Sequence, residues 1–123
     1  MTDDRILSGV PGAPPADRQG SGMVAVIFVS HRTGADPAGY DAAAAAMDAL
    51  AAVQPGYRGI DSARGADGEG ITISYWASDA EAIAWRDHPE HAAIREAGRA
   101  HWYDRYRVTV CRVERGYAWS RPA

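Results

Sequence analysis

The chain has 123 residues, 46% of them hydrophobic and 24% charged, with a formal net charge of −3 and a pI near 5.7. That balance fits one globular domain, excludes the basic face a nucleic-acid binder needs, and leaves no apolar run near the ~18 residues of a membrane span. All thirteen basic side chains are arginine, which rules out Schiff-base and lysine-base chemistry, and the lone Cys111 cannot form an internal disulfide, as suits a reducing cytoplasm.

Residues 1–22 hold three prolines and four glycines and lack the apolar core of a signal peptide. They are expected to form a flexible arm, with Ile6, Leu7 and Val10 as its apolar spots. The run Met23–Ser30 is apolar and rich in β-branched residues, as in a strand covered on both faces. Asp36 and Pro37 set a helix start, one capping and the other fixing φ in the first turn. The helix carries Tyr40, Ala43, Ala44, Met47, Leu50 and Ala51 at 3–4 spacing and stops before Pro55-Gly56.

Tyr57–Ser62 reads as a strand, Arg64–Gly70 as a hairpin turn, and Ile71–Trp76 as a strand of period two. Ser78 and Glu81 form a capping box that opens a second helix, and Pro89 breaks it. A further helix is predicted from Glu90 to about Tyr103, with Ala93, Ile94, Ala97, Gly98, His101 and Trp102 on one stripe. Tyr106–Glu114 is the last strand.

The order is β-α-β-β-α-β, the α+β ferredoxin-like arrangement of a four-stranded antiparallel sheet with helices on one face. The folded domain is expected over residues 23–117, with a tail at 118–123. The other sheet face is too apolar for water, and a second copy covering it would give a homodimer.

Several phrases carry a resemblance: M-V-A-V-I-F at the first strand, P-G-Y-R-G-I at the second, S-Y-W-A-S-D-A-E-A-I-A-W-R-D-H-P-E-H, and R-A-H-W-Y-D-R-Y-R-V-T-V-C-R-V-E-R-G-Y. Together, over about residues 23–117, they resemble the antibiotic biosynthesis monooxygenase (ABM) family of dimeric α+β barrels. The likeness is strongest to the bacterial group filed with haem-degrading monooxygenases. The resemblance implies a pocket between sheet and helices. It also implies either a cofactor-independent oxygenase of secondary metabolism or a haem-degrading enzyme. The haem-degrading branch is marked by an asparagine on the first strand, a tryptophan on the second helix and a histidine nine residues later. Trp85 fits the tryptophan, but position 94 is Ile94 and the first strand has no asparagine. Haem would then need His88 or His91 as a substitute ligand.

Trp76, Trp85 and Trp102 fit core packing or an aromatic wall against a flat, electron-rich ligand. His88, His91 and His101 invite acid–base chemistry near neutral pH, although no Cys or carboxylate set completes a metal site. His88 and His31 equally suit exposed positions, and His101 could be either a core histidine or a pocket base. Tyr75, Tyr103 and Tyr106 could donate to a bound carbonyl, or simply pack. Arginines 95, 99, 105 and 107 interleave with acids as on a salt-bridged surface, and Cys111 suits a small core residue. No glycine-rich phosphate loop precedes a helix, so flavin and nicotinamide are not expected.

The expected function is a small cytoplasmic monooxygenase that oxidises an aromatic or polyketide-like metabolite. Its catalytic candidates are His91, His101 and Tyr75, and its substrate-binding candidates are Phe28, Trp85 and Trp102. No cofactor and no metal are expected. Haem binding with or without ring cleavage is the alternative, and a non-catalytic dimeric ligand-binding module is the second.

Overall fold

The computed structural model describes residues 22–123. The expected N-terminal arm therefore lies, apart from Gly22, outside the described residues. The elements are β1 (Val24–Arg32), α1 (Pro37–Ala52), β2 (Tyr57–Arg64), β3 (Glu69–Trp76), α2 (Asp79–Arg86), α3 (Pro89–Ala97), a π-helical turn (Gly98–Trp102) and β4 (Tyr103–Arg112). The sheet order is β2-β3-β1-β4 with every pair antiparallel, which is the α+β ferredoxin-like arrangement. No helix among the described residues is long and apolar enough to cross a membrane.

Local signals place the helices. Asp36 caps α1 through Oδ1, which accepts from Gly39 N at 3.1 Å, and Pro37 follows in the first turn. Asp36 sits in the left-handed region at φ 48°, a conformation Asp tolerates better than most residues. A Cβ on Gly39 would collide with that carboxylate, so glycine lets the cap close. Ser78 caps α2 by accepting from Glu81 N at 3.3 Å, while its own hydroxyl donates to Glu81 Oε1 at 2.9 Å. The box is thus closed between side chains. Pro89 holds His88 extended at φ −58°, ψ 130°, and α3 restarts behind it with the His88 ring as its cap.

Several boundaries differ from the sequence reading, two of them for reasons the contacts show. The β2–β3 turn is only residues 65–68, because Glu69 and Gly70 already pair with His31 and Ser30 of β1. The last helix ends early as well. The end of β1 captures the chain there, with Thr33 N on the Trp102 carbonyl and Thr33 Oγ1 on the His101 carbonyl, both at 2.9 Å. The final α-turn widens into the π-helical turn, and β4 starts at Tyr103 rather than Tyr106. Gly98 makes the join compact, since a Cβ there would lie 2.8 Å from the Tyr103 ring.

The core lies between the helices and one sheet face, where Val24, Ala51, Trp76 and Ala82 are buried and Val26, Tyr57 and Trp85 pack on them. Trp76 is fully buried, and its indole N–H donates to Ser74 Oγ at 3.0 Å. The opposite face carries Ala25, Ile27, Val29, Ile71, Ile73, Tyr75 and Cys111, in register across β1, β3 and β4. There Ile71 is 47% exposed.

Trp76 should be the most costly single truncation. Trp76→Ala is expected to destabilise the protein by about 3–5 kcal/mol in urea unfolding, a large fraction of a small domain's stability. A loss below about 1 kcal/mol would contradict this placement of the core.

Candidate functional site

A cleft of about 600 Å³ opens between the sheet and the helices. Val26, Phe28, Thr72 and Ser74 form its floor, with Val108 and Val110 along the β4 side. Met47 of α1, Ile83 of α2 and Ile94 of α3 face them. A mostly apolar cleft of this size suits a small organic molecule with few polar anchors.

One end is built on Trp85. The His91 ring stacks on the Trp85 indole at 4.4 Å and 10° between planes, and Trp76 lies behind at 6.0 Å. His91 Nδ1 is 3.0 Å from the Trp85 carbonyl. A carbonyl only accepts, so Nδ1 carries the proton, and the neutral ring keeps its acceptor lone pair on Nε2. Burial is the main cause that holds the His91 pKa below its ordinary value, and the charges of Arg95 and His88 act in the same direction. The bond to the Trp85 carbonyl opposes them. The position of His91 in the first turn of α3 also disfavours a positive charge. The geometry thus yields a neutral imidazole at pH 7, a competent proton acceptor.

The other end is a cluster of aromatic edges. Tyr40 meets Trp102 and Tyr103 edge-on at 6.0 Å each, and Phe28 lies 5.4 Å from Tyr103 and 5.2 Å from Tyr106. Trp102 is fixed by its indole N–H, which donates to Asp36 Oδ2 at 3.2 Å. One carboxylate thereby joins the start of α1 to the π-helical turn. Burial, above all, raises the Tyr103 pKa, and a hydrogen bond with Tyr40 adds to the effect. The nearby charges of Arg64 and Arg32 work against it. Tyr103 therefore stays a donor at any physiological pH.

Of the expected site residues, Phe28, Trp85, His91 and Trp102 line the cleft. Two fall outside it. Tyr75 projects from the opposite sheet face, where its hydroxyl donates to Asp61 Oδ2 at 3.0 Å, because odd-numbered β3 residues point away from the helices. His101 is exposed, since the π-helical turn rotates it off the stripe that a continuous α-helix would have kept. His88 is an N-cap, and His31 is bound between Asp104 Oδ2 at 2.9 Å and the Asp67 carbonyl at 3.1 Å. Tyr40 was missed, although it stands on the 3–4 stripe of α1 with Met47 and Ala51.

The residues that mark the haem-degrading branch are not completed here. Ile94, on the position of the signature histidine, lines the cleft with an alkyl group, and β1 contributes Val26 and Phe28 rather than an amide. Among the described residues no group of three His, Cys, Asp or Glu side chains could hold a metal ion.

A family model for antibiotic biosynthesis monooxygenase matches residues 22–97. The chain is 50% identical over 91 residues to the uncharacterized protein YqjZ of Bacillus subtilis (strain 168), covering 74% of this chain and 79% of that one. Rv0793 of Mycobacterium tuberculosis shares the fold with a TM-score of 0.64 at 22% identity, over 72% of this chain and 92% of its own. SnoaB, a cofactor-independent oxygenase from Streptomyces nogalater, has a TM-score of 0.65 at 19% identity, over 84% of this chain and 100% of its own.

The His91 environment makes a signed prediction. Its pKa is depressed on folding, so its contribution to stability is complete above the unfolded value of about 6.5 and is lost as pH falls through the lower folded value. NMR titration of the His91 ring should give a midpoint below 6.5. His91→Gln should flatten the acid limb of stability against pH. A midpoint above the ordinary value would contradict the buried, Nδ1-bound ring.

Proposed function

The chain belongs to the antibiotic biosynthesis monooxygenase family, and on that premise we propose that it is a small oxygenase acting on an aromatic or polyketide-like metabolite in its cleft, without flavin or nicotinamide. The observation that carries this reading is the neutral His91 stacked on Trp85 at the wall of an open apolar cleft. The fold relative SnoaB is itself a cofactor-independent oxygenase, which supports chemistry driven by the substrate's own carbanion.

The step needs only a base, a flat binding surface and dioxygen. Phe28, Trp85 and Trp102 hold the rings of the substrate. His91 Nε2 takes a proton from an activated methylene between aromatic or carbonyl groups, and the resulting carbanion is delocalised over the ring system. Dioxygen oxidises that carbon. One oxygen atom becomes the product carbonyl and the other leaves as water, with the two hydrogens of the methylene. A cleft left open by its own side chains favours this reading over a filled, non-catalytic one.

The opposite sheet face supports a homodimer. Ile27, Val29, Ile71 and Ile73 form an apolar patch on paired strands, and a two-fold copy would remove it from water. Sedimentation of the intact protein should give a dimer, and Ile73→Arg should give monomers. A monomeric parent protein would contradict that arrangement.

Dithranol, an anthrone with such a methylene, is a suitable probe. The protein should accelerate its oxygen uptake above the buffer rate, with one dioxygen consumed per quinone formed. His91→Gln should lower kcat by about 10²–10⁴-fold while the protein stays folded. Activity unchanged in that variant would remove His91 from the mechanism.

A further inference from the structure

Pro89 ends α2 and leaves its last carbonyls without helical donors. Two of them in succession meet side chains of α3. The Trp85 carbonyl lies 3.0 Å from His91 Nδ1, and the Arg86 carbonyl accepts from Arg95 Nη1 at 2.9 Å. His91 and Arg95 are four residues apart, so they are neighbours on one face of α3. The break that holds the imidazole therefore holds a guanidinium beside it, and both side chains line the cleft.

Arginines often cap the last carbonyls of a helix, and that task uses one N–H. A guanidinium carries five donors in a rigid plane, an arrangement that matches the two oxygens of a carboxylate. The carboxyl group of Asp87 is gripped by Arg86 through both of its oxygens, at 2.9 and 3.2 Å. Burial is the first cause of the lowered His91 pKa, and the charge of Arg95 adds to it, so that charge acts where His91 does. The cleft lining carries Asp48 of α1 and Asp79 at the start of α2 against Arg86, Arg95 and Arg99 on the side of the helix break. Positive charge thus prevails in the cleft of a chain whose net charge is −3, a field that favours an anionic ligand.

We propose that Arg95 is the carboxylate-binding residue of the cleft, and that the ligand is an aromatic acid. The ring of the acid lies against Trp85, and its carboxylate meets the part of the Arg95 guanidinium turned away from the Arg86 carbonyl. The proposal rests on the reading of the cleft as an aromatic pocket. It adds an orientation, because the acidic end of the ligand is held at α3, beside His91.

The test is calorimetric titration of the full chain at pH 7.5 with 2-naphthoate and with its neutral isostere 2-naphthamide. The parent protein should bind the carboxylate at least about tenfold more tightly, as expected for charge-assisted hydrogen bonding. Arg95→Met should bring the two affinities together. Arg99→Gln removes an equal charge from an arginine bound to Glu96 and Tyr106, and it should keep the preference. Thermal melts would establish that both variants are folded. The parent chain gives a second readout that needs no variant: the Nε–H resonance of Arg95 should move with naphthoate and stay in place with naphthamide. Equal affinity for the two probes, a preference that survives Arg95→Met or is lost equally in Arg99→Gln, or an Arg95 resonance that does not move overturns the subsite and leaves the aromatic cleft standing. Binding of neither probe overturns the cleft reading and the subsite with it.

Discussion

The carbonyl of Trp85 is where the site is assembled. Pro89 cannot let α2 continue, so the last carbonyls of that helix are left without their ordinary i+4 donors. The Trp85 oxygen instead accepts from His88 N at 3.1 Å and from His91 Nδ1 at 3.0 Å. The same bond fixes the tautomer of His91, lays its ring flat on the Trp85 indole and aims its remaining lone pair away from the helix end. A helix break that would otherwise cost stability is thus filled by the His91 side chain. Without the break, His91 would lie further along one continuous helix and could not fold back onto Trp85.

A second constraint acts at the far end of the cleft. Asp36 occupies a left-handed conformation, a cost on the order of 1 kcal/mol that two hydrogen bonds offset. One bond caps α1 and the other holds Trp102, so the entry to α1 and the π-helical turn are set relative to each other. Wide π-turns inside helices often mark functional sites. Here the turn sends Trp102 inward against Tyr40 and starts β4 three residues early, which brings Tyr103 to the cleft wall. The two ends of the cavity therefore differ in chemistry. A neutral imidazole stacked on an indole lies at one, and the edges of Tyr40, Trp102 and Tyr103 meet at the other.

The sequence was most legible where one local signal determines structure. Asp36-Pro37, Ser78 with Glu81, and Pro89 each mark a boundary by a hydrogen bond or a steric clash that needs no distant partner. Strand order followed from the β-α-β-β-α-β succession. Phe28, Trp85, His91 and Trp102 were legible as cleft residues because large aromatic groups on an inward stripe have few other places to go. His101 was not, because its exposure depends on a π-helical turn held by Thr33, 68 residues away. Tyr75 was misplaced by one face of the sheet, a question of register that period-two alternation leaves open. The Arg64–Tyr40 contact joins β2 to α1 across 24 residues and leaves no trace in spacing.

The central claim is that an aromatic ligand lies across the cleft, with one end against the Trp85–His91 stack and the other beneath Tyr40 and Trp102. A crystal structure of the protein with bound dithranol, or with its quinone product, tests this most directly. The account predicts the fused rings in van der Waals contact with Phe28, Trp85 and Trp102, and a ring carbon within hydrogen-bond reach of His91 Nε2. A ligand bound elsewhere, or a cleft closed by movement of α2 and α3 onto the sheet, would contradict it.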